Sequence, residues 1–301
     1  MFHVIHLSED LTPLDAWYDR VFAPRRGVMD TSYSDREMRW GSLLVIGDAV
    51  IEDMAPGTEE GAAAMPIGRF FTKFGRHWHS LAWYTDDVGA IWDRLVDHGI
   101  RVITPGPDPG ARPEEGDIYT HPKDTGTQLE FYQPDRAHGG PQGSGVFPDP
   151  RFMPGWEEVW AATPNPLGIE RLAYVTVLCG DLDHSGAVYV DAVGGTALGG
   201  STSALCGTES RFVAIGPETV VELARPTDPG SLAGADMARH GEICHAVAFT
   251  VADLDRAAAH LEACGVGLVG RDETTLLADP ADTFGAPFRF TTERVAGDPR
   301  D

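Results

Sequence analysis

The residues best placed to do chemistry in this 301-residue chain begin with the stretch YTHPKDTGTQLEFYQP, residues 119–134. Its second part alternates as a half-buried strand does, with Leu129 and Phe131 set between Gln128, Glu130 and Tyr132. A carboxylate buried in such a strand is costly, so Glu130 is expected to be paired, protonated or bound to a metal. A second alternating stretch, HSLAWYTDDV (79–88), opens on His79. No glycine-rich loop sits between a strand and a helix as a phosphate cradle requires, and no GxSxG elbow occurs. Cys179, Cys206, Cys244 and Cys264 are scattered without a CxxC pair, and read as reduced, mostly buried thiols of a cytoplasmic protein.

Composition narrows the partners. The net charge is −23, and Lys73 and Lys123 are the only lysines. Nucleic acid and anionic membrane surfaces both reward basic patches, so neither is expected as a partner. No apolar run is long enough to span a bilayer, and MFHVIHLSED lacks the basic start of a secretory signal. A small-molecule substrate is the expected partner.

The elements that must position these residues repeat along the chain. Residues 79–100, HSLAWYTDDVGAIWDRLVDHGI, align without a gap on 245–266, HAVAFTVADLDRAAAHLEACGV. Each copy opens with His in a strand, passes an Asp at a helix N-cap (Asp87, Asp253), and stops at Gly. Residues 3–22 match 174–193 in the same way, and the strands AVIEDMAP (49–56) and TVVELARP (219–226) each carry Glu four residues before Pro, as Glu130 precedes Pro134. Four units result, near 1–56, 68–135, 168–226 and 240–296. They make an N-terminal domain (1–135) and a C-terminal domain (168–301). A Gly/Pro-rich linker (136–167) joins them, and Phe152, Trp156 and Trp160 suggest that part of it packs down. One chain carrying all four units can build complete two-unit cups, as a monomer or a homodimer.

This pattern resembles the vicinal oxygen chelate superfamily, which includes glyoxalase I, methylmalonyl-CoA epimerase, extradiol dioxygenases and the bleomycin resistance proteins. The resemblance is strongest over residues 41–134, where GSLLVIGDAVIEDMAP, IGRFFTKFGRHWHSLAWYTDDV and THPKDTGTQLEFYQP are similar to methylmalonyl-CoA epimerase. It implies an α+β fold of four βαβββ units in two tandem domains, each a cup of two facing mixed sheets with helices outside. The family's ligand positions fall here on His3, Glu52, His79 and Glu130, with His3 preferred to His6 by its distance from the Asp-Leu pair. Such a set implies one divalent metal, Fe, Mn, Co, Ni or Zn, with open positions for substrate oxygens. The matching C-terminal positions hold Tyr174, Glu222, His245 and Arg289. Arg cannot ligate a metal, so that half reads as a degenerate, metal-free copy in which Arg289 pairs with Glu222 or meets an anionic substrate group.

By strand parity, Trp83 and Tyr132 are expected to face the same cavity as His79 and Glu130, with His121 beside them as a further lining residue. His6 and His77 read as bystanders, and His98, His138, His184, His240 and His260 as solvated. The resemblance implies an enzyme that stabilises an enolate while Glu130 moves a proton, an isomerase, epimerase or lyase acting on a small carbonyl or thioester substrate. The epimerase's second base would fall on Gly41, which cannot serve; Glu37 has the right parity to replace it. An Fe(II) dioxygenase using His3, His79 and Glu130 is the alternative, although two-domain extradiol relatives carry metal in their C-terminal half. A sequestering, resistance-type binding protein is the third reading.

Overall fold

The computed structural model describes residues 3–105, 108–133, 149, 151 and 154–301. Phe152, His138 and half of the 136–167 segment lie outside those residues. In the N-terminal half the strands are β1 (Val4–Leu7), β2 (Arg25–Ser34), β3 (Arg39–Ile46), β4 (Ala49–Pro56), β5 (His77–Tyr84), β6 (Val102–Ile103), β7 (Gly116–Thr120) and β8 (Gln128–Gln133). The helices are α1 (Leu11–Phe22), α2 (Pro66–Phe74), α3 (Val88–Asp97) and the short α4 (Pro122–Thr125). After α5 (Trp156–Ala161) the C-terminal half repeats the plan. Its strands are β9 (Ile169–Leu178), β10 (Thr196–Ser203), β11 (Thr208–Ile215), β12 (Thr219–Pro226), β13 (Cys244–Val251), β14 (Leu268–Arg271), β15 (Thr275–Ala278) and β16 (Phe288–Thr291). Its helices are α6 (Leu182–Ala187), α7 (Leu232–His240) and α8 (Leu254–Ala263).

Each half is α+β and carries one mixed sheet of eight strands. The orders are β2-β3-β4-β1-β5-β8-β7-β6 and β10-β11-β12-β9-β13-β16-β15-β14. The two four-stranded units of a half meet along an antiparallel seam, β1 on β5 and β9 on β13. The two sheets expected to face each other are therefore continuous at their inner edges. Within each unit the first and last strands run parallel, β1 on β4 and β5 on β8.

Local chemistry explains the helix ends. Asp87 accepts from Ala90 N at 2.8 Å and Asp253 from Arg256 N at 3.0 Å, as the repeated N-cap pattern predicts. Gly99 and Gly265 follow α3 and α8 with φ of +75° and +74°, a backbone region costly to any residue with a Cβ. Helix α1 buries Leu11, Leu14, Trp17, Tyr18, Val21 and Phe22, an apolar stripe of helical period.

That stripe does not serve its own half alone. The Phe22 ring lies 5.3 Å from Phe288 and 5.9 Å from Phe249, both on C-terminal strands. In return, the helical segment after α6 sends the Tyr189 hydroxyl to the Thr125 carbonyl at 3.0 Å. Arg94 of α3 donates to the carbonyls of Ala192 and Val193. A single cluster of buried apolar side chains thus spans both halves behind the sheets. The other face of the N-terminal sheet is covered at its two ends. Ile67, Phe70 and Phe71 of α2 pack on Ile5, Leu7 and Met54, and Trp156 of α5 packs on Leu43, Val45 and Val50. None of the helices among the described residues is long and apolar enough to cross a membrane.

Candidate active site in the N-terminal cup

Between the α2 and α5 covers, β1, β4 and β8 present His3, Glu52 and Glu130 on one face. The register sets this: Ile5 pairs with Glu52, so His3, two residues earlier, shares that face. His3 Nε2 lies 3.2 Å from Glu52 Oε2 and 3.6 Å from Glu130 Oε2. All three residues are less than a tenth exposed. Burial alone would depress the His3 pKa, but the Glu52 and Glu130 carboxylates outweigh it and raise it. Burial raises Glu52 above the usual carboxylate range, against the pull of His3 and Arg39.

His79 reaches the same face through a bulge. Val4 pairs with Leu81 and His6 with Trp78, so two steps of β1 face three of β5. His79 stacks edge-on against Phe70 at 4.4 Å, and its Nδ1 meets Ser80 Oγ at 2.8 Å. Burial, helped by Arg39 and His3, lowers its pKa to about 3. A neutral ring with one nitrogen tied to a neighbour is the form a metal ligand takes. The donor set of two imidazoles and two carboxylates fits a borderline divalent metal. The four do not converge on a single point, however: among the described residues, the one group whose ligand atoms all lie within 4.8 Å of one another is elsewhere, His77, Asp236 and His240.

The same bulge corrects one expectation. It reverses the parity of β5 beyond Ser80, so Trp83 turns away from the cup and stacks on Phe131 at 5.7 Å in the shared core. Tyr132 stays on the Glu130 face, opposite Asp117 on β7. His121 caps α4, its Nδ1 accepting from Lys123 N at 3.2 Å. The other described histidines lie outside the cup, and His6 is the bystander expected of it. His6 is buried between the Tyr18 hydroxyl (2.8 Å) and the Phe284 carbonyl (3.3 Å). His260 contacts the Val21 carbonyl at 2.9 Å. His77, also outside the cup, and His240, expected to be solvated but buried here, both contact Asp236 in the seam between the halves.

Arg39 was not anticipated. It leads β3 with the parity of Gly41 and Leu43, and Leu43 pairs with Glu52. Its Nη1 lies 3.4 Å from Glu52 Oε1. A Cβ built on Gly41 would sit 2.6 Å from that same nitrogen, so glycine here clears room for a guanidinium. Glu37 is bound to Arg39 Nε at 2.6 Å and to Arg36 at 3.2 Å. Burial pushes its carboxyl up, but the two guanidiniums outweigh this and hold it below the usual range. It is thus engaged in ion pairs where the sequence offered it as a replacement base. Asp117, diagonal to Glu130 across the strand pair, is pushed up to about 6 by burial and by the Glu130 charge. Its period-2 alternation with Tyr119 was the signal that could have found it.

The C-terminal cup is closed by its own side chains. Glu222 accepts from Arg289 Nη1 (2.6 Å), Thr176 Oγ1 (2.6 Å) and Ser210 Oγ (2.7 Å). Tyr174 packs edge-on against Phe212 at 5.4 Å. Burial disfavours the Arg289 charge, and Glu222 more than restores it. His245 turns to Asp236, with Nδ1 2.5 Å from Oδ2. The cavity left beside Arg289 and His245 is about 10 Å³, room for about one water.

No protein-family model matches the sequence, and no curated protein matches it. Solved structures do. A triple mutant of 4-hydroxymandelate synthase from Streptomyces coelicolor is 15% identical, with a TM-score of 0.65, over 99% of this chain and 94% of that one. Methylmalonyl-CoA epimerase from Mycobacterium tuberculosis is 23% identical over 41% of this chain and 88% of that one, with a TM-score of 0.38. A Streptomyces coelicolor methylmalonyl-CoA epimerase variant, in complex with 2-nitronate-propionyl-CoA, is 22% identical over 42% and 97%, with a TM-score of 0.38. At these identities the full-length likeness is one of fold.

Proposed function

We propose that this chain, which has the vicinal oxygen chelate fold, is a divalent-metal-dependent enzyme whose active centre is the N-terminal cup. The observation that carries this reading is His3 Nε2 standing between two buried carboxylates, Glu52 and Glu130. At the matching C-terminal place Arg289 fills the carboxylate's bonding capacity. His3, His79 and Glu130 would hold the metal, with Glu52 shared between it and Arg39. When bound, such an ion polarises a substrate carbonyl as a Lewis acid and acidifies the adjacent C–H.

The chain's own residues then supply the rest. Glu130 takes the α-proton and returns it. Arg39 gives an anionic substrate group a partner. Phe70 and Trp156 keep water from the two ends of the cup. Because Arg39 stands where a second base would project from position 41, one-base isomerase or lyase chemistry is favoured over two-base epimerisation. The substrate class is a small carbonyl or thioester compound bearing a negative charge.

A second reading has its own support. If Arg39 keeps Glu52, the remaining set is two His and one carboxylate, the donor set of non-haem Fe(II) oxygenases. The full-length fold relative is by its name a synthase of 4-hydroxymandelate, a carboxylate that Arg39 could pair with.

The deciding experiment is metal analysis of protein purified without oxygen, beside Glu130→Ala, followed by substrate screening in D₂O and in an oxygen electrode. About one cup metal per chain, lost in Glu130→Ala, with solvent deuterium entering the substrate α-position without O₂ uptake, is the expected result. Iron with O₂ consumption would move the assignment to the oxygenase. Ligand binding that is indifferent to chelation would replace both with a sequestering protein.

A further inference from the structure

A separate cluster lies where the two halves meet. Strand β5 brings His77, and α7 brings Asp236 and His240 at i,i+4 spacing, which places both on one helix face. His77 Nε2 is 3.1 and 3.2 Å from the two Asp236 oxygens, and His240 Nδ1 is 2.6 Å from Asp236 Oδ1. The His77, Asp236 and His240 side chains are 4%, 11% and 9% exposed.

The ligand atoms of these three residues all lie within 4.8 Å of one another, a spacing that suits a single cation. His77 Nδ1 lies 3.0 Å from the Trp78 carbonyl. A carbonyl only accepts, so Nδ1 carries hydrogen. Nε2 is thereby aimed at the Asp236 carboxylate, the direction in which it can meet a positive centre, a proton or a metal ion, shared with that carboxylate. A backbone carbonyl that fixes Nδ1–H and aims Nε2 outward is the support that metal-bound histidines use. Two further observations agree. Among the described residues, His240 Nε2 is buried without a hydrogen-bond partner. His245 Nδ1 holds the far oxygen of Asp236 at 2.5 Å, so the carboxylate is oriented from behind.

We infer that His77, Asp236 and His240 bind a divalent transition-metal ion that fastens the two halves together, with His245 as the positioning residue for Asp236. Two imidazole nitrogens and one carboxylate oxygen suit zinc best among common ions, whereas calcium and magnesium require nearly all-oxygen shells. Zinc bonds of about 2.0–2.1 Å set tetrahedral ligands roughly 3.3 Å apart. The observed contacts need to open by less than about an ångström to admit it, with water as the fourth ligand. The site is distinct from the cup, and its zinc is structural.

Two measurements on the full chain test this. Crystals grown with stoichiometric zinc and measured at the zinc edge should show an anomalous peak between His77, Asp236 and His240. In solution, with Glu130→Ala as background to silence the cup, zinc should bind at about one per chain. His240→Gln should weaken that binding at least 100-fold, and His245→Gln by about 10–100-fold. Zinc should raise Tm in the background protein but not in His240→Gln. A hydrogen-bonded hub without a metal would instead make His240→Gln equally destabilising with and without zinc. That outcome, or a map without a peak at this position, overturns the inference. Absence of metal from the His3–Glu130 cup in the same map would count against the proposed function and leave this site unaffected.

Discussion

Arg39 stands beside Glu52 without matching its bonds as Arg289 matches those of Glu222. The Arg39–Glu52 approach is one contact of 3.4 Å, whereas Glu222 accepts three bonds of 2.6–2.7 Å from Arg289, Thr176 and Ser210. The two cups therefore differ in what removal of the cation does. Arg39→Gln frees a ligand carboxylate and is expected to tighten cup metal binding about tenfold, roughly 1.4 kcal/mol, in a competitive chelator titration. Arg289→Met leaves Glu222 buried and uncompensated, and should cost about 3–5 kcal/mol in urea unfolding. The double variant Arg289→Met/Glu222→Leu should recover most of that loss, because a buried ion pair is replaceable by apolar groups when both partners go together. If the single and double variants are equally destabilised, the pair is not the source of the cost.

Strand β5 decides which histidine enters which site. Its bulge lets His79 reach the cup while Trp78 and Trp83 face the core, and Ser80 holds His79 Nδ1 at 2.8 Å. Ser80→Ala removes that support, and cup metal affinity should fall about 10–100-fold with little change in Tm. Helix α1 carries the opposite lesson. Phe22 is 4% exposed and touches rings of the other half at 5.3 and 5.9 Å. Phe22→Ala should cost about 3–5 kcal/mol and lower a single unfolding transition for both halves. Two separate transitions, with only one shifted, would mean that the halves fold independently.

At the scale of the whole molecule, the seam contains a titratable group that links stability to pH. His6 is fully buried between Tyr18 and the Phe284 carbonyl, and burial lowers its pKa from 6.5 to about 3. Between those values the unfolded chain binds a proton that the native chain does not. Stability contributed through His6 is therefore complete above pH 6.5, falls as pH drops below it, and levels off near pH 3. The full span is on the order of 5 kcal/mol. His6→Gln should flatten this acid limb in unfolding curves taken from pH 7 to pH 4, and an unchanged slope would show that the limb comes from other groups.

Much of the architecture was legible from local pattern, because strand alternation, N-cap aspartates and stop glycines act over a few residues. Asp87, Asp253, Gly99 and Gly265 perform those roles here, and the fourfold repeat followed from comparing such segments. The candidate ligands His3, Glu52 and Glu130 could be named from resemblance, and strand register brings them onto one face. Three features were beyond local reasoning. A bulge inserts one residue into the count, so parity put Trp83 on the wrong face. Arg39 reaches Glu52 across neighbouring strands, along a long side chain whose direction no spacing rule supplies. Asp236 meets His77 across 159 positions of sequence, a meeting that exists only once α7 of one half docks against β5 of the other. Periodicity determines which face a side chain takes within an element; only the packing of distant elements decides what it finds there.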